Sequence, residues 1–410
     1  MRPPSDASLC PRPAQRRLLH WAGVAAKILV SAGEASGDLY AAGLVARLRE
    51  RLPGVEFFGC AGPRMRAAGV RAVVDSSSLA VVGLVEVVTH IPRIWREFRK
   101  LCRAAKAEQP RLAILTDSPD FHLRLARRLK RAGVPVVYLV APQVWAWRQG
   151  RLPLMRRTID RLLCLFPFEE EFFNRHGIPA HYIGHPLART VRPSLTREEF
   201  FRKHGLADDR PLVVLLPGSR RGEAARHLPP LVDAVERIRR ERPASFVWAA
   251  PAGRFLGPDL THFRERAGRA SIQVIEGETW DALAWADLAL AASGTVTVEA
   301  ALLGTPMVTF YRVSGLSWWL GKRLVRVPFY SMVNLVAGRA VAPELMQNEV
   351  VGERLAAEAL RLLSDPAACD RMRRELGGVA ARLSAYEDPM GRAADLTEEL
   401  FRRQGAVNGS

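Results

Sequence analysis

The chain has 410 residues, 48% of them hydrophobic and 25% charged, which is the balance of a globular protein long enough for two domains. A formal net charge of +18 points to an anionic partner, yet no RNA- or DNA-reading motif is present, so nucleic acid is set aside. Cys10, Cys60, Cys102, Cys164 and Cys369 lack CxxC spacing and argue for a reducing compartment without disulfides or a metal site, and no stretch reaches the roughly 20 apolar residues of a membrane span.

Residues 1–26 are rich in Pro, Arg and Ser and lack the apolar core of a signal peptide, so they read as a disordered extension or a start codon placed too early. Ile28–Ser31 reads as a strand, Gly33-Glu34-Ala35-Ser36-Gly37-Asp38 as a turn, and a helix follows through Leu39, Ala42, Val45 and Leu48. Val55–Gly59 is the next strand, which gives the doubly wound pattern. Gly33 and Gly37 let backbone approach a ligand closely, and the helix start beyond them favours anionic or polar groups. Leu79–Phe98 is dense in apolar residues and turns basic at Arg93, Arg96, Arg99 and Lys100. It fits a buried helix or an exposed apolar face with a basic rim, and composition alone favours the first.

Leu112–Thr116 has the length of a buried strand and ends at Asp117. Ser118 can cap the helix that follows, Pro119 suits its first turn, and Gly133 stops it before the strand Val134–Val140. This βαβ unit places Asp117, Asp120 and the aromatic-basic loop with Trp145, Trp147 and Arg148 at carboxyl ends of parallel strands, where ligands bind. Asp120 is balanced between capping and function, whereas function leads for Asp117. Arg161–Phe166, a helix over Pro167–His176, and Ala180–Gly184 complete the first lobe, with His185 at a strand tip balanced between packing and ligand contact. His122, next to a candidate acid, reads as simply exposed or packed. Residues 27–188 therefore form one Rossmann-like lobe, and the polar stretch 189–210 reads as a linker.

A second Rossmann-like lobe spans 211–366, with helices and a tail over 367–410. Its strands are Leu212–Leu216, Ser245–Ala249, Ile272–Ile275, Asp287–Ala292 and Thr305–Tyr311. Pro217-Gly218-Ser219-Arg220 follows the first of them, and Arg220 can neutralise a diphosphate by bidentate contact. Ser293-Gly294-Thr295 opens a helix whose free N–H groups can hold the same diphosphate, with Glu299 a turn on, suited to ribose hydroxyls. A GxGxxG fingerprint with its ribose acid, a GxxxxGK[ST] loop and an Asp-x-Asp metal site are all missing, which counts against a dehydrogenase, an ATPase or a metal-dependent transferase. The expected fold is α/β, two Rossmann-like lobes facing a cleft.

These segments together resemble lipid-A-disaccharide synthases. The matching pieces are SAGEASGD (31–38), GCAGPRM (59–65), LAVVGLVEV (79–87), DSPDF (117–121), PQVWAWR (142–148), FPFE (166–169), GHPL (184–187), LLPGSR (215–220), ASGTVTVE (292–299) and NLVAGR (334–339). The resemblance implies a GT-B glycosyltransferase that needs no cofactor or metal, with UDP-2,3-diacylglucosamine as donor and 2,3-diacylglucosamine 1-phosphate as acceptor. It implies essential roles for Asp117 and Arg220, an important one for Asn334, and donor contacts at Gly218, Ser219, Arg220, Ser293, Gly294, Thr295 and Glu299. Gly33, Glu34, Ser36, Asp120, Trp145, Arg148 and His185 would line the acceptor side of the cleft. A patch of Val85, Val87, Val88, Ile91, Ile94 and Trp95 would meet the cytoplasmic face of the inner membrane, which reverses the buried reading of Leu79–Phe98; a homodimer is left open. Two departures are Ala188-Arg189, where relatives usually carry an acid, and Val333, where they usually carry proline. The rival readings are a UDP-N-acetylglucosamine 2-epimerase and a non-catalytic two-lobed binding protein.

Overall fold

A computed structural model describes residues 26–79, 84–253, 261–315, 318 and 327–407, with the side chains of 84–90, 261–263 and 404–407 left aside. The expected N-terminal extension lies outside the described residues but for Ala26. Lys27–Ala32 (β1), Glu56–Ala61 (β2), Arg71–Asp75 (β3), Leu112–Thr116 (β4), Val136–Leu139 (β5), Arg161–Cys164 (β6) and Ala180–Tyr182 (β7) form a sheet in the order β3-β2-β1-β4-β5-β6-β7. Pairings from β3 to β6 are parallel, and Ile28, Leu29, Val30 and every residue of β4 are buried, as strands covered on both faces require. Around them run Ala35–Arg51 (α1), Pro63–Ala67 (α2), Leu84–Glu108 (α3), Pro119–Arg131 (α4), Leu152–Thr158 (α5) and Pro167–Arg175 (α6).

The second sheet has Leu212–Leu216 (β8), Ser245–Ala250 (β9), Gln273–Glu276 (β10), Leu288–Ala292 (β11), Met307–Tyr311 (β12) and Glu344–Met346 (β13) in the order β10-β9-β8-β11-β12-β13, all parallel. Its helices begin with Leu187–Thr190 (α7), Arg197–His204 (α8), Arg221–Glu241 (α9), Thr261–Arg269 (α10), Thr279–Ala284 (α11) and Thr295–Leu302 (α12). Met332–Ala337 (α13), Gly352–Leu363 (α14), Pro366–Leu383 (α15) and Pro389–Val407 (α16) follow. In each sheet the strand order reverses beside the first strand, between β1 and β4 and between β8 and β11. Such switch points open a crevice at the carboxyl ends of the two strands. The chain leaves β1 and β4 at Gly33 and Asp117, and leaves β8 and β11 at Pro217 and Ser293, so the geometry selects the loops that carry the candidate motifs.

By packing, the chain falls into two compact units. One runs to Pro142 and takes in Pro153–Leu163 and the chain from Met390 on; the other holds Gln143–Leu152 and Cys164–Pro389. The boundary therefore does not fall at 188/189. Residues 189–210 are not a bare linker either: α8 buries Phe200 and Phe201, and Asp281 accepts hydrogen bonds from the Ser194 and Leu195 amides at 2.7 Å. An eight-residue helix shows too few turns for an apolar period to be read. The terminal helices do not form one tail, since α15 packs in the second unit and α16 from Met390 in the first. Strand β13, beyond the last expected strand, is only three residues long. Leu39 is exposed, and Ala41, Leu44, Val45 and Leu48 form the buried face of α1.

Candidate active site

Asp117 stands at the tip of β4 with its carboxylate turned back across β1. Its Oδ1 accepts from the Gly33 amide at 2.8 Å and its Oδ2 from the Glu34 amide at 3.1 Å. Both amides lie in the turn just before α1, so the carboxyl ties the tip of β4 to the chain leaving β1. The glycines serve this contact rather than a ligand's approach: a Cβ on Gly37 would lie 1.7 Å from Asp117 Oδ2, and one on Gly33 2.4 Å from Ser118 Oγ. Burial pushes the Asp117 carboxyl up to about 7, against the amides of Gly33 and Glu34, which favour its charged form. The backbone is left-handed at both Asp117 (φ +53°) and Ser118 (φ +34°), a cost of about 1 kcal/mol or more each for residues with a Cβ. Ser118 occupies the cap position of α4 without making a side-chain cap bond, because the strained turn directs the chain otherwise.

Beneath the tip, the Asp117 carbonyl accepts from Tyr138 Oη at 2.6 Å and lies 3.0 Å from His122 Nδ1, while His122 Nε2 is 2.8 Å from Ser31 Oγ. His122 is fully buried, and burial lowers its imidazole to about 4, so the ring is neutral near pH 7. The sequence reading left His122 as ordinary packing and passed over Tyr138, because only the β4–β5 pairing brings that phenol near. Glu34, Ser36 and Asp120 are exposed around the same tip. Asp38 has turned away and caps α2, accepting from the Gly62, Arg64 and Met65 amides at 2.9, 2.9 and 3.1 Å. On α3, Ile91 and Trp95 are exposed and Ile94 half-buried, beside exposed Arg93, Arg96, Arg99 and Lys100. The side chains of Val85, Val87 and Val88 lie outside the described residues. Trp95 stacks on buried Phe98, which meets Phe121 edge-on.

In the second unit, Gly218 (φ +112°) makes the turn after β8, and a Cβ there would meet Glu223 Oε2 at 2.9 Å. Ser219 and Arg220 are exposed beyond it; the Arg220 guanidinium is 3.6 Å from Glu223 Oε1, with its side chain 74% exposed. Gly294 and Thr295 are exposed at the start of α12, whose first N–H groups have no partner within the helix. Ser293 Oγ donates to the Tyr330 carbonyl at 2.8 Å, and Thr297 Oγ1 to the Gly294 carbonyl at 2.8 Å. Glu299 is largely enclosed one turn on, and burial raises its carboxyl against a hydrogen bond from Trp280. These elements can offer a cation, helix-end amides and a carboxylate, which is the chemistry of a nucleoside diphosphate site.

The resemblance implies a role in the reaction for Asn334. It is fully buried, and its amide is spent on the chain: Oδ1 accepts from the Val341 and Ala342 amides at 2.7 and 3.0 Å, and Nδ2 donates to the Ala342 carbonyl and Glu344 Oε1 at 2.8 Å each. Glu344 in turn accepts from the Tyr330 and Ser331 amides, and the Tyr330 carbonyl holds Ser293. Asn334 thus braces the loop behind Ser293. A cavity of 530 Å³ is lined by Asn334, Glu344, Arg371 and Met372 but by none of Arg220, Ser293, Thr295 or Glu299.

Trp145 and His185 are also packed rather than presented. The Trp145 indole N–H donates to buried Glu169 Oε1 at 3.0 Å, and Phe168 meets the ring edge-on. Burial pushes the Glu169 carboxyl up to about 8, opposed by the hydrogen bond from Trp145. His185 is 2% exposed against Phe166, with Nδ1 accepting from the Leu187 amide at 3.2 Å, and burial lowers its ring to about 4. The exposed partners of that loop are Trp147 and Arg148, with the guanidinium 4.5 Å over the indole. Among the described residues no group of three His, Cys, Asp or Glu is placed to hold a metal ion, and no helix is long and apolar enough to cross a membrane.

Comparison with known proteins places this geometry in a lineage. A family model described as lipid-A-disaccharide synthetase matches residues 28–377. The lipid-A-disaccharide synthase of Solibacter usitatus is 65% identical over 378 residues, 92% of this chain and 98% of that protein. That of Myxococcus xanthus is 43% identical over 357 residues, 87% of this chain and 93% of its own. Among solved structures, a UDP-GlcNAc 2-epimerase from Neisseria meningitidis bound to UDP-GlcNAc superposes with a TM-score of 0.60 at 11% identity, covering 88% of this chain and 98% of its own. The calicheamicin glycosyltransferase CalG4 does so at 0.55 and 17% identity, covering 92% and 98%. These two share the fold, two parallel-sheet α/β domains of GT-B glycosyltransferase type, while the sequence relatives share the family. The chain belongs to the lipid-A-disaccharide synthase family.

Proposed function

We propose that this chain is an inverting glycosyltransferase that moves 2,3-diacylglucosamine from UDP-2,3-diacylglucosamine to 2,3-diacylglucosamine 1-phosphate. The acceptor 6-hydroxyl oxygen forms the new bond to the donor's anomeric carbon, the bond from that carbon to UDP breaks, and the hydroxyl proton passes to Asp117. The products are the β(1→6)-linked disaccharide 1-phosphate and UDP. Support comes from one observation above the others: Asp117 is fixed at a strand tip by two amides while burial brings its carboxyl to about 7, where a general base works best near neutral pH. The transition state is oxocarbenium-like, and the charge growing on UDP is met by Arg220 and the Gly294–Thr295 helix end. Glu299 takes the ribose hydroxyls. Exposed Ile91 and Trp95, with the basic residues around them, suit the acyl and anionic surface of the cytoplasmic face of the inner membrane.

The test is a thin-layer assay with radiolabelled acceptor and the diacylated UDP donor, in detergent and with EDTA. A labelled disaccharide formed in EDTA is the expected result. No disaccharide, with UDP-N-acetylglucosamine epimerised instead, would overturn the reading.

A further inference from the structure

We infer that Tyr138 and His122 are positioning residues for the reaction: together they hold the peptide carbonyl of Asp117, and so keep the strand tip in the left-handed turn that aims the carboxylate. This rests on the proposed role of Asp117 as the base. Two consecutive left-handed residues, neither of them glycine, require something around them to fix the conformation. That something is visible at the carbonyl between them. Tyr138 Oη donates to it at 2.6 Å and the His122 ring reaches it at 3.0 Å.

A carbonyl oxygen has no proton to give, so His122 Nδ1 must be the protonated nitrogen. The neutral ring then leaves Nε2 as an acceptor, which fits Ser31 Oγ at 2.8 Å as its donor. Every group in the row Ser31, His122, Asp117 and Tyr138 is thereby paired, with β1, β4, β5 and α4 each contributing one member. Turning the peptide over into an ordinary extended or right-handed form would strand a buried phenol and a buried imidazole N–H at once. On the other face of the same turn, the carboxylate meets the Gly33 and Glu34 amides at 2.8 and 3.1 Å. The carbonyl and the carboxylate are therefore set by one backbone conformation, pinned from below and read out above.

The test measures kcat and both KM values for Tyr138→Phe, His122→Leu and His122→Asn, each also in a Ser118→Gly background. Asn places an amide nitrogen close to where Nδ1 stood, so His122→Asn is the rescue variant, and glycine at 118 adopts the left-handed turn unaided. The expected result is a kcat lower by about tenfold for Tyr138→Phe and His122→Leu, KM within about twofold, and near-normal turnover for His122→Asn. In the Ser118→Gly background the same losses should shrink to about threefold or less. Equal losses in both backgrounds would mean that the two side chains matter only as packing, and kcat within twofold for both variants would remove the role altogether. If Tyr138→Phe fails to fold, the His122 pair decides by itself. An Asp117→Asn enzyme that stays active would sink the base assignment first, so the two failures are told apart.

Discussion

At the end of β4 a carboxylate reaches back to the Gly33 and Glu34 amides, in the turn just before α1; at the end of β11 Gly294 and Thr295, at the start of α12, are exposed, and the exposed Arg220 stands on the turn after β8. Both places are switch points of a parallel sheet, and at both a helix begins beside the strand tip. The first fills the turn before its helix from its own chain, and holds an acid whose proton affinity is set by burial against hydrogen bonds from Gly33, Glu34 and Ser118. The second leaves Gly294 and Thr295 exposed, and the solvated Arg220 stands on the neighbouring strand's turn. Under the proposed function, one repeated architecture carries the base in one copy and the diphosphate site in the other, and the difference lies in whether a strand-tip acid closes the turn before the helix.

The largest effect should come from emptying the first arrangement. Asp117→Asn keeps size and removes the base, so kcat should fall by about 10²–10⁴-fold with KM little changed, in the disaccharide assay. In the unaltered enzyme the acidic limb of kcat/KM should have its midpoint near pH 7: the working form is the deprotonated carboxylate, so activity falls as pH drops through that value. The sign for stability is opposite. Because the folded carboxyl holds its proton more tightly than the unfolded one, this group's contribution is present below about pH 4 and lost as pH rises through about 7. A midpoint near 4 would mean that a different group limits the rate. Arg220→Ala attacks the second arrangement and should cost about 10²–10³-fold in kcat, with Arg220→Lys between, since lysine keeps the charge but not the fork.

How much of this contrast the sequence disclosed depends on distance along the chain. The run from Leu112 to Leu139 was legible because buried parallel strands and a glycine-stopped helix leave their own marks, and β4 and β8 were placed to the residue. Asp117 and Arg220 were legible as strand-tip residues. What lay across the sheet was not: nothing near Tyr138 or His122 in sequence says that both hold the Asp117 carbonyl, and nothing near Trp145 says that Glu169 buries it. Residue type misled in such cases. Tryptophan in a loop of VWAWR was read as a site residue at 145, while the exposed ring is at 147. The glycines of SAGEASGD read as room for a ligand, and the room is taken by Asp117, far along the chain.

That last point gives the next test. Gly37→Ala adds one carbon where Asp117 Oδ2 now stands, 1.7 Å from it, so either the helix start or the carboxylate must move. A displacement near 1 Å at the base should lower kcat by about 10²-fold, with the melting temperature reduced by only a few degrees. An unchanged kcat would show that the carboxylate need not sit against the turn before α1, and the contrast between the two switch points would lose its meaning.

The smallest effect on chemistry should come from Asn334, although the resemblance to the family marks it as important. Its four hydrogen bonds join α13 to the segment from Val341 to Glu344, and Glu344 carries the brace on to Tyr330 and Ser293. Asn334→Ala leaves two amides, a carbonyl and a carboxylate oxygen buried with one partner fewer. The expected cost is about 3 kcal/mol of stability, seen as a fall of several degrees in melting temperature. Turnover measured well below that temperature should drop less than tenfold, and mainly through a higher KM for the UDP donor, because Ser293 loses its anchor and no reacting group is touched. A thousandfold loss of kcat in a protein that melts normally would return Asn334 to the reaction itself. It would also require the loop from Ala340 to Glu344 to release its hold on that side chain when substrate binds.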